Sequence, residues 1–400
     1  MGRELDQLRT ENETLLWRLE NVERPAHNAW VQFHPQWDRL SSPVAYNRAR
    51  LATGDEDRRL VTRIIEAYCR TVDENFYGDD SMWQQFRQHQ GAVHDALVQH
   101  DVSAVTQILR HPDRSDLLYG YEMYRFADGQ PAEHGTAHLL VHQDTAQECA
   151  NMTMDLLVRL AEGLGVVPLE NPEGKYGVLW GTNLRLDPED VVRRVEEHVG
   201  FALPIVPAQS GLAGLAVREG MVNGRTMPAA YIAHRAGQLL GHRTGRVLEI
   251  GPGLGYTVVY ADRLGIKDYT VVDLPMTNVA QAYFIGRTVG EERIVLEGEP
   301  GQDRDDAIKI RTPTVLREQQ RHFDLIVNVD SLTEVGRERA AEYARWIYRS
   351  APLFLSVNHE RNEFTIGEMF EALGAVVERF PFWLRNGYAE EIIRAPREQG

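Results

Sequence analysis

Cysteine is scarce in this chain: Cys69 and Cys149 are the only two in 400 residues. They supply neither a disulfide framework nor the paired spacing of a zinc site. No signal-peptide pattern opens the chain, so a reducing, cytoplasmic compartment is the expectation. Long apolar runs are missing as well, and no stretch reaches the roughly 18 residues that a membrane span needs. Positive charge is in deficit, with 43 Lys and Arg against 59 Asp and Glu, a formal −16. That balance disfavours general nucleic-acid or anionic-membrane binding, which need clustered cations. A local basic pocket is compatible with it. No internal repeat is visible. The rest is ordinary soluble composition, 43% hydrophobic and 26% charged, which allows a large core and two or three domains.

Glycine, in contrast, is concentrated where it carries information. Val247, Leu248 and Ile250 read as a buried parallel strand around Glu249. Gly251, Gly253 and Gly255 follow at alternate positions, and a helix pattern begins at Thr257. Strand, glycine turn and helix N-terminus in that order make a site for a nucleotide-type ligand, because glycine admits close approach and the helix start offers unpaired N–H groups. Tyr269 to Val272 is a second apolar strand, ending in Asp273. An acid at that distance can reach the hydroxyls of a ribose. A dinucleotide fingerprint needs a third glycine at position 256, which is Tyr256. The pattern is instead E-x-G-x-G-x-G.

Taken in order, residues 1–25 carry Leu5, Leu8, Asn12, Leu15, Leu19 and Val22 at spacings of three and four. That is a heptad seam with Asn12 at an a position, so a parallel coiled coil and a homodimer, or a higher even-numbered oligomer, are expected; the other reading is an amphipathic helix on its own subunit. Residues 26–185 read as a mainly helical auxiliary domain, with apolar stripes from Glu56 to Arg110 and a helix from Pro131 to about Leu164. His134, His138 and His142 share a face of that helix, but the outer two are about 12 Å apart along the axis, too far for one ion. No metal site is assigned. Residues 186–400 form the third domain. Asp187 and Pro188 start a helix as cap and first residue, and the glycine-spaced segment from Gly211 to Gly224 is expected to drape over the ligand site. Strands then alternate with helices: Ile294 to Leu296, Phe323 to Asn328, Pro352 to Val357, Val376 to Phe380 and Tyr388 to Arg394. Between the first two of these, Gly298 to Asp306 reads as a polar loop whose Glu299, Asp303, Asp305 and Asp306 are solvated. This alternation predicts a doubly wound α/β fold with a mostly parallel, Rossmann-like sheet. Ligands bind beyond the carboxyl ends of such strands, where Glu249, Asp273, Asn328 to Ser331 and Asn358 to Glu360 fall.

The glycine loop with its acids resembles motif I of class I S-adenosylmethionine methyltransferases. Val-Leu-Glu-Ile-Gly-Pro-Gly-Leu-Gly at 247–255, Val-Val-Asp-Leu-Pro at 271–275, Asn-Val-Asp-Ser-Leu-Thr-Glu at 328–334 and Pro-Phe-Trp-Leu-Arg-Asn-Gly-Tyr at 381–388 are similar to segments of bacterial sugar O-methyltransferases. The resemblance covers about the last 215 residues. It implies S-adenosylmethionine as cofactor, S-adenosylhomocysteine as product, and a small-molecule or glycosylated acceptor. Glu249, Gly251, Gly253, Gly255, Asp273, Leu274 and Asn328 would then hold the cofactor, with Asp273 on the ribose and Leu274 against the adenine. Hydroxyl methylation calls for a base, for which Glu334, Asp330 and His359 are the candidates. Glu334 comes first by position, and His359 by the ordinary pKa of imidazole. Each has a plainer reading; Glu334 could simply sit in the first turn of its helix. Three other classes fit less closely: an N- or C-methyltransferase of natural-product assembly, a nicotinamide-dependent sugar oxidoreductase, and a non-catalytic subunit of the same fold.

Overall fold

The structure, a computed structural model, describes residues 44–72, 82–118, 126–127, 130–131, 146–169, 183–241, 244–317 and 322–395. The heptad segment and His134, His138 and His142 lie outside these residues. Two compact units divide the chain: residues 1–42 with 170–186, and residues 43–169 with 187–400. Of the first, residues 183–186 are described, with a 3-10 turn at Asn183–Arg185. The second carries all the elements that follow.

Its N-terminal part holds strand β1 (Ala45–Tyr46) and helices α1 (Arg58–Cys69), α2 (Met82–His89), α3 (Gly91–Val98) and α4 (Val102–Arg110). A two-residue hairpin, β2 (Phe126–Ala127) with β3 (Gln130–Pro131), comes next. Pro131 therefore pairs in a strand rather than opening a helix, and helix α5 is described over Ala146–Gly163. Helix α6 (Pro188–Val199) starts as its sequence dictates. The Asp187 carboxylate accepts from Glu189 N–H at 2.8 Å, Pro188 is the first residue, and Gly200 ends the helix in the left-handed region. The Gly211–Gly224 segment is in part strand. It forms strands β4 (Gly214–Val217) and β5 (Gly220–Val222), and β4 also pairs with β1. Gly214 is required there because a Cβ would run into the Val222 carbonyl.

Beyond α7 (Thr226–Leu240) the doubly wound sheet appears. Its strands are β6 (Arg246–Ile250), β7 (Asp268–Val272), β8 (Ile294–Leu296), β9 (Ile308–Arg311), β10 (Leu325–Val329), β11 (Leu353–His359), β12 (Val376–Pro381) and β13 (Tyr388–Arg394). They lie in the order β12-β13-β11-β10-β6-β7-β9-β8. All neighbours from β8 to β11 are parallel, and β13 runs antiparallel between β11 and β12. Helices α8 (Tyr256–Leu264), α9 (Pro275–Val289), α10 (Arg337–Ser350) and α11 (Ile366–Glu371) flank it. The mostly parallel α/β fold is thus as expected. Strand β9 was not: its sequence, Ile-Lys-Ile-Arg, alternates apolar and cationic residues, yet Lys309 and Arg311 are both buried. Lys309 is paired with Asp268, which also takes Arg246, and Arg311 with Glu297.

The helical part is joined to this sheet by buried charge. Arg110 meets Asp57 through Nε and Nη2, and the Tyr283 hydroxyl of α9 donates to the same carboxylate at 2.6 Å. Arg63 on α1 donates two 2.8 Å bonds to Glu299 and one each to the carbonyls of Glu291 and Ile294. Glu299 is therefore not solvated. Among the described residues no helix is long and apolar enough to cross a membrane.

Candidate functional site

The sheet order reverses beside β6: β7 lies on one side and β10 on the other. A crevice opens at such a point beyond the carboxyl ends of the strands, and the glycine loop stands there. Gly251, Gly253 and Gly255 all have positive φ, at 66°, 62° and 91°, a region that side-chain-bearing residues rarely adopt. A Cβ on Gly251 would also run into Ser331, and one on Gly255 into Ile285. Gly255 caps α8, whose first turn points its N–H groups at the loop.

Asp273 ends β7 opposite this loop. Its Oδ1 accepts from Leu274 N–H and its Oδ2 from Gln281 Nε2, both at 2.8 Å. Burial pushes its carboxyl up to about 7, against bonds from Leu274 N–H, Thr277, Gln281 and Gly253 N–H. A carboxylate held between the glycine loop and α9 is placed to accept from a diol. Leu274 caps α9 and is half-buried beside it.

Glu249 and Asn328 lie deeper. Glu249 is 1% exposed and accepts from the Tyr269 hydroxyl at 3.0 Å; burial pushes its carboxyl up to about 7. Asn328, on β10, is fully buried. Its Nδ2 donates to the Ile250 carbonyl at 2.9 Å and to Ser331 Oγ, while its Oδ1 accepts from Asn358 Nδ2 at 2.8 Å. Both therefore support the loop from beneath. Tyr256, where a dinucleotide site has glycine, packs on Phe284 at 4.7 Å between ring centroids, with its hydroxyl on Asn223.

The three candidate bases part company. Asp330 has a positive φ of 56°. Its Oδ2 accepts from Arg385 Nη1 at 2.7 Å and its Oδ1 from the Tyr388 hydroxyl at 2.9 Å. His359, at the end of β11, lies edge-on to the Tyr388 ring at 5.5 Å, with Asn362 Nδ2 at 3.4 Å from Nε2. Asp330 and His359 thus meet around Tyr388. Glu334 is not in the first turn of α10. It ends a separate 3-10 turn, Leu332–Glu334, and accepts from Trp83 Nε1 of α2 at 3.2 Å. Sequence reasoning assigned no role to Arg385, Tyr388 or Trp83. The first two stood inside the 381–388 segment, whereas Trp83 had no local signal, being 251 residues from its partner.

No family model and no curated protein matches the sequence. Similar solved structures include magnesium protoporphyrin IX methyltransferase (ChlM) from Synechocystis PCC 6803 with bound SAM, at 14% identity and TM-score 0.31, covering 43% of this chain and 80% of that one. The DhpI–SAH complex is 19% identical with TM-score 0.30, covering 43% of this chain and 87% of that one. The glycopeptide N-methyltransferase MtfA is 15% identical with TM-score 0.32, covering 42% of this chain and 90% of that one.

Proposed function

We propose that this chain is an S-adenosylmethionine-dependent methyltransferase that methylates a hydroxyl of a sugar or of a glycosylated or polyhydroxylated natural product. The observation that carries the reading is the positive-φ glycine loop with Asp273 across from it at the strand-order reversal. Backbone N–H groups at the loop and α8 suit the amino-acid end of the cofactor, and the Asp273 carboxylate suits its ribose. The bound cofactor supplies an electrophilic methyl group. The chain itself must hold the acceptor hydroxyl in line with that group and take its proton.

Arg385 already neutralises Asp330, so that carboxylate serves to fix Tyr388 and the 330–334 turn. Glu334 and His359 are left as bases. The acceptor lies on their side, where Trp83 brings an aromatic surface from the helical part. We also take the 4–23 heptads to join two copies, so that light scattering on the full chain gives a dimer and on a chain starting at Ala26 a smaller species.

Calorimetry with S-adenosylhomocysteine tests the cofactor reading. Asp273→Ala should weaken binding by about 1.5–3 kcal/mol through loss of charge-assisted hydrogen bonds. No binding by the parent, or equal affinity in the variant, overturns it. On an identified acceptor, losing the base should cost about 10²–10⁴ in turnover. If Glu334→Ala and His359→Ala both keep parent turnover, neither is the base.

A further inference from the structure

Between α10 and the turn at Pro313–Arg317 the structure holds a groove of about 340 Å³. Tyr343 and Trp346 form its floor, each nearly buried. Arg317, Arg339, Arg345 and Arg349 rim it, with Glu342 the one carboxylate among the lining residues. Such a concentration runs against a composition of −16. Arg345 and Arg349 are exposed and four residues apart, hence neighbours on the helix surface, where like charges repel. Neither forms an ion pair or a side-chain hydrogen bond among the described residues. Several other exposed helix arginines in the same unit are matched: Arg193 with Asp190 and Glu197, Arg58 with Asp55, and Arg337 with Glu363. The helix C-terminus favours Arg349, but Arg345 lies more than a turn short of it.

We propose that this groove binds a small molecule bearing a diphosphate group, held by Arg345 and Arg349 with its remaining part over Tyr343 and Trp346. Guanidinium forks match phosphate oxygens two at a time, which favours phosphate over a carboxylate of equal charge. The groove's bounded volume and the negative charge of the whole chain select a small anion over a polyanion. No residue of the glycine loop lines it.

Titration calorimetry of the full chain with inorganic pyrophosphate at low salt tests this. Saturable one-to-one binding is expected, weakening as salt rises. Arg345→Ala with Arg349→Ala should reduce affinity about ten-fold or more, as loss of a charged hydrogen bond predicts, while the melting temperature of the ligand-free protein stays at the parent value. The milder pair Arg345→Gln with Arg349→Gln should reproduce the loss, separating it from any disturbance of the helix. No saturable binding, equal affinity in both double variants, or an equal response to sulfate at matched ionic strength would overturn the proposal.

Discussion

Glu249 shows at a single position what the glycine loop costs. Its carboxyl sits at the end of an apolar strand, and burial lifts its folded pKa from 4.5 to about 7. Between those values the folded state binds a proton that the unfolded state has released, so folding stability falls as pH rises through that window. The shift corresponds to roughly 3 kcal/mol lost above pH 7. Glu249→Gln keeps the shape and removes the charge. Its stability advantage over the parent in urea melts should be small near pH 4.5 and should grow as pH approaches 8. A constant difference between the two proteins across that range would show that folding does not raise the Glu249 pKa. Asp273, also lifted to about 7, helps to raise Glu249, so the same comparison in an Asp273→Asn background is what isolates the one group.

At the scale of elements, the Asp57–Arg110–Tyr283 cluster fastens α1 and α4 to α9. Burial raises the Asp57 carboxyl, but the bonds from Arg110 and Tyr283 outweigh it and leave the group below its ordinary value of 3.8. Its contribution is therefore present above that value and is lost only as pH falls through the lower folded one. Arg110→Ala strands a buried carboxylate and should destabilise by about 3–5 kcal/mol. Adding Asp57→Asn should restore part of that, because the uncompensated charge is then gone. Urea denaturation of the two variants checks both statements, and a double variant weaker than the single one would refute the account. None of these contacts was legible in sequence, since the partners are 53 and 226 residues apart. What could be read was local. The cap at Asp187, the strand 388–394 and the glycine loop follow from neighbouring residues. The strand pair inside Gly211–Gly224 was not legible, because Gly214 serves a close approach to the Val222 carbonyl of the partner strand. For the candidate site, the loop and Asp273 were readable from spacing, but the ties from Arg385 and Tyr388 to Asp330 depend on which strand ends meet.

For the whole molecule, the charge ties across residue 186 mean that residues 43–169 and 187–400 are one folding unit rather than a catalytic body with an appendage. Strand β4 takes its β1 partner from the N-terminal part, and Glu299 and Tyr283 take Arg63 and Asp57 from it. A fragment beginning at Asp187 would leave an unpaired strand edge and lack the partners of those groups. Differential scanning calorimetry should show no cooperative transition for this fragment and a cooperative one for the full chain. A fragment melting at the parent temperature would make the sheet self-sufficient.

Strand β9 adds one more consequence. Side chains alternate between the two faces of a strand, so a slip of one residue against β7 or β8 would swap its isoleucines with Lys309 and Arg311. Both cations would then enter the layer that Ile310 shares with Ile64 and Val279, on the face opposite Asp268. In a strand of plain Val and Ile the same slip would bury much the same apolar surface and could persist. The buried cations of β9 thus favour the observed alignment over its one-residue slip.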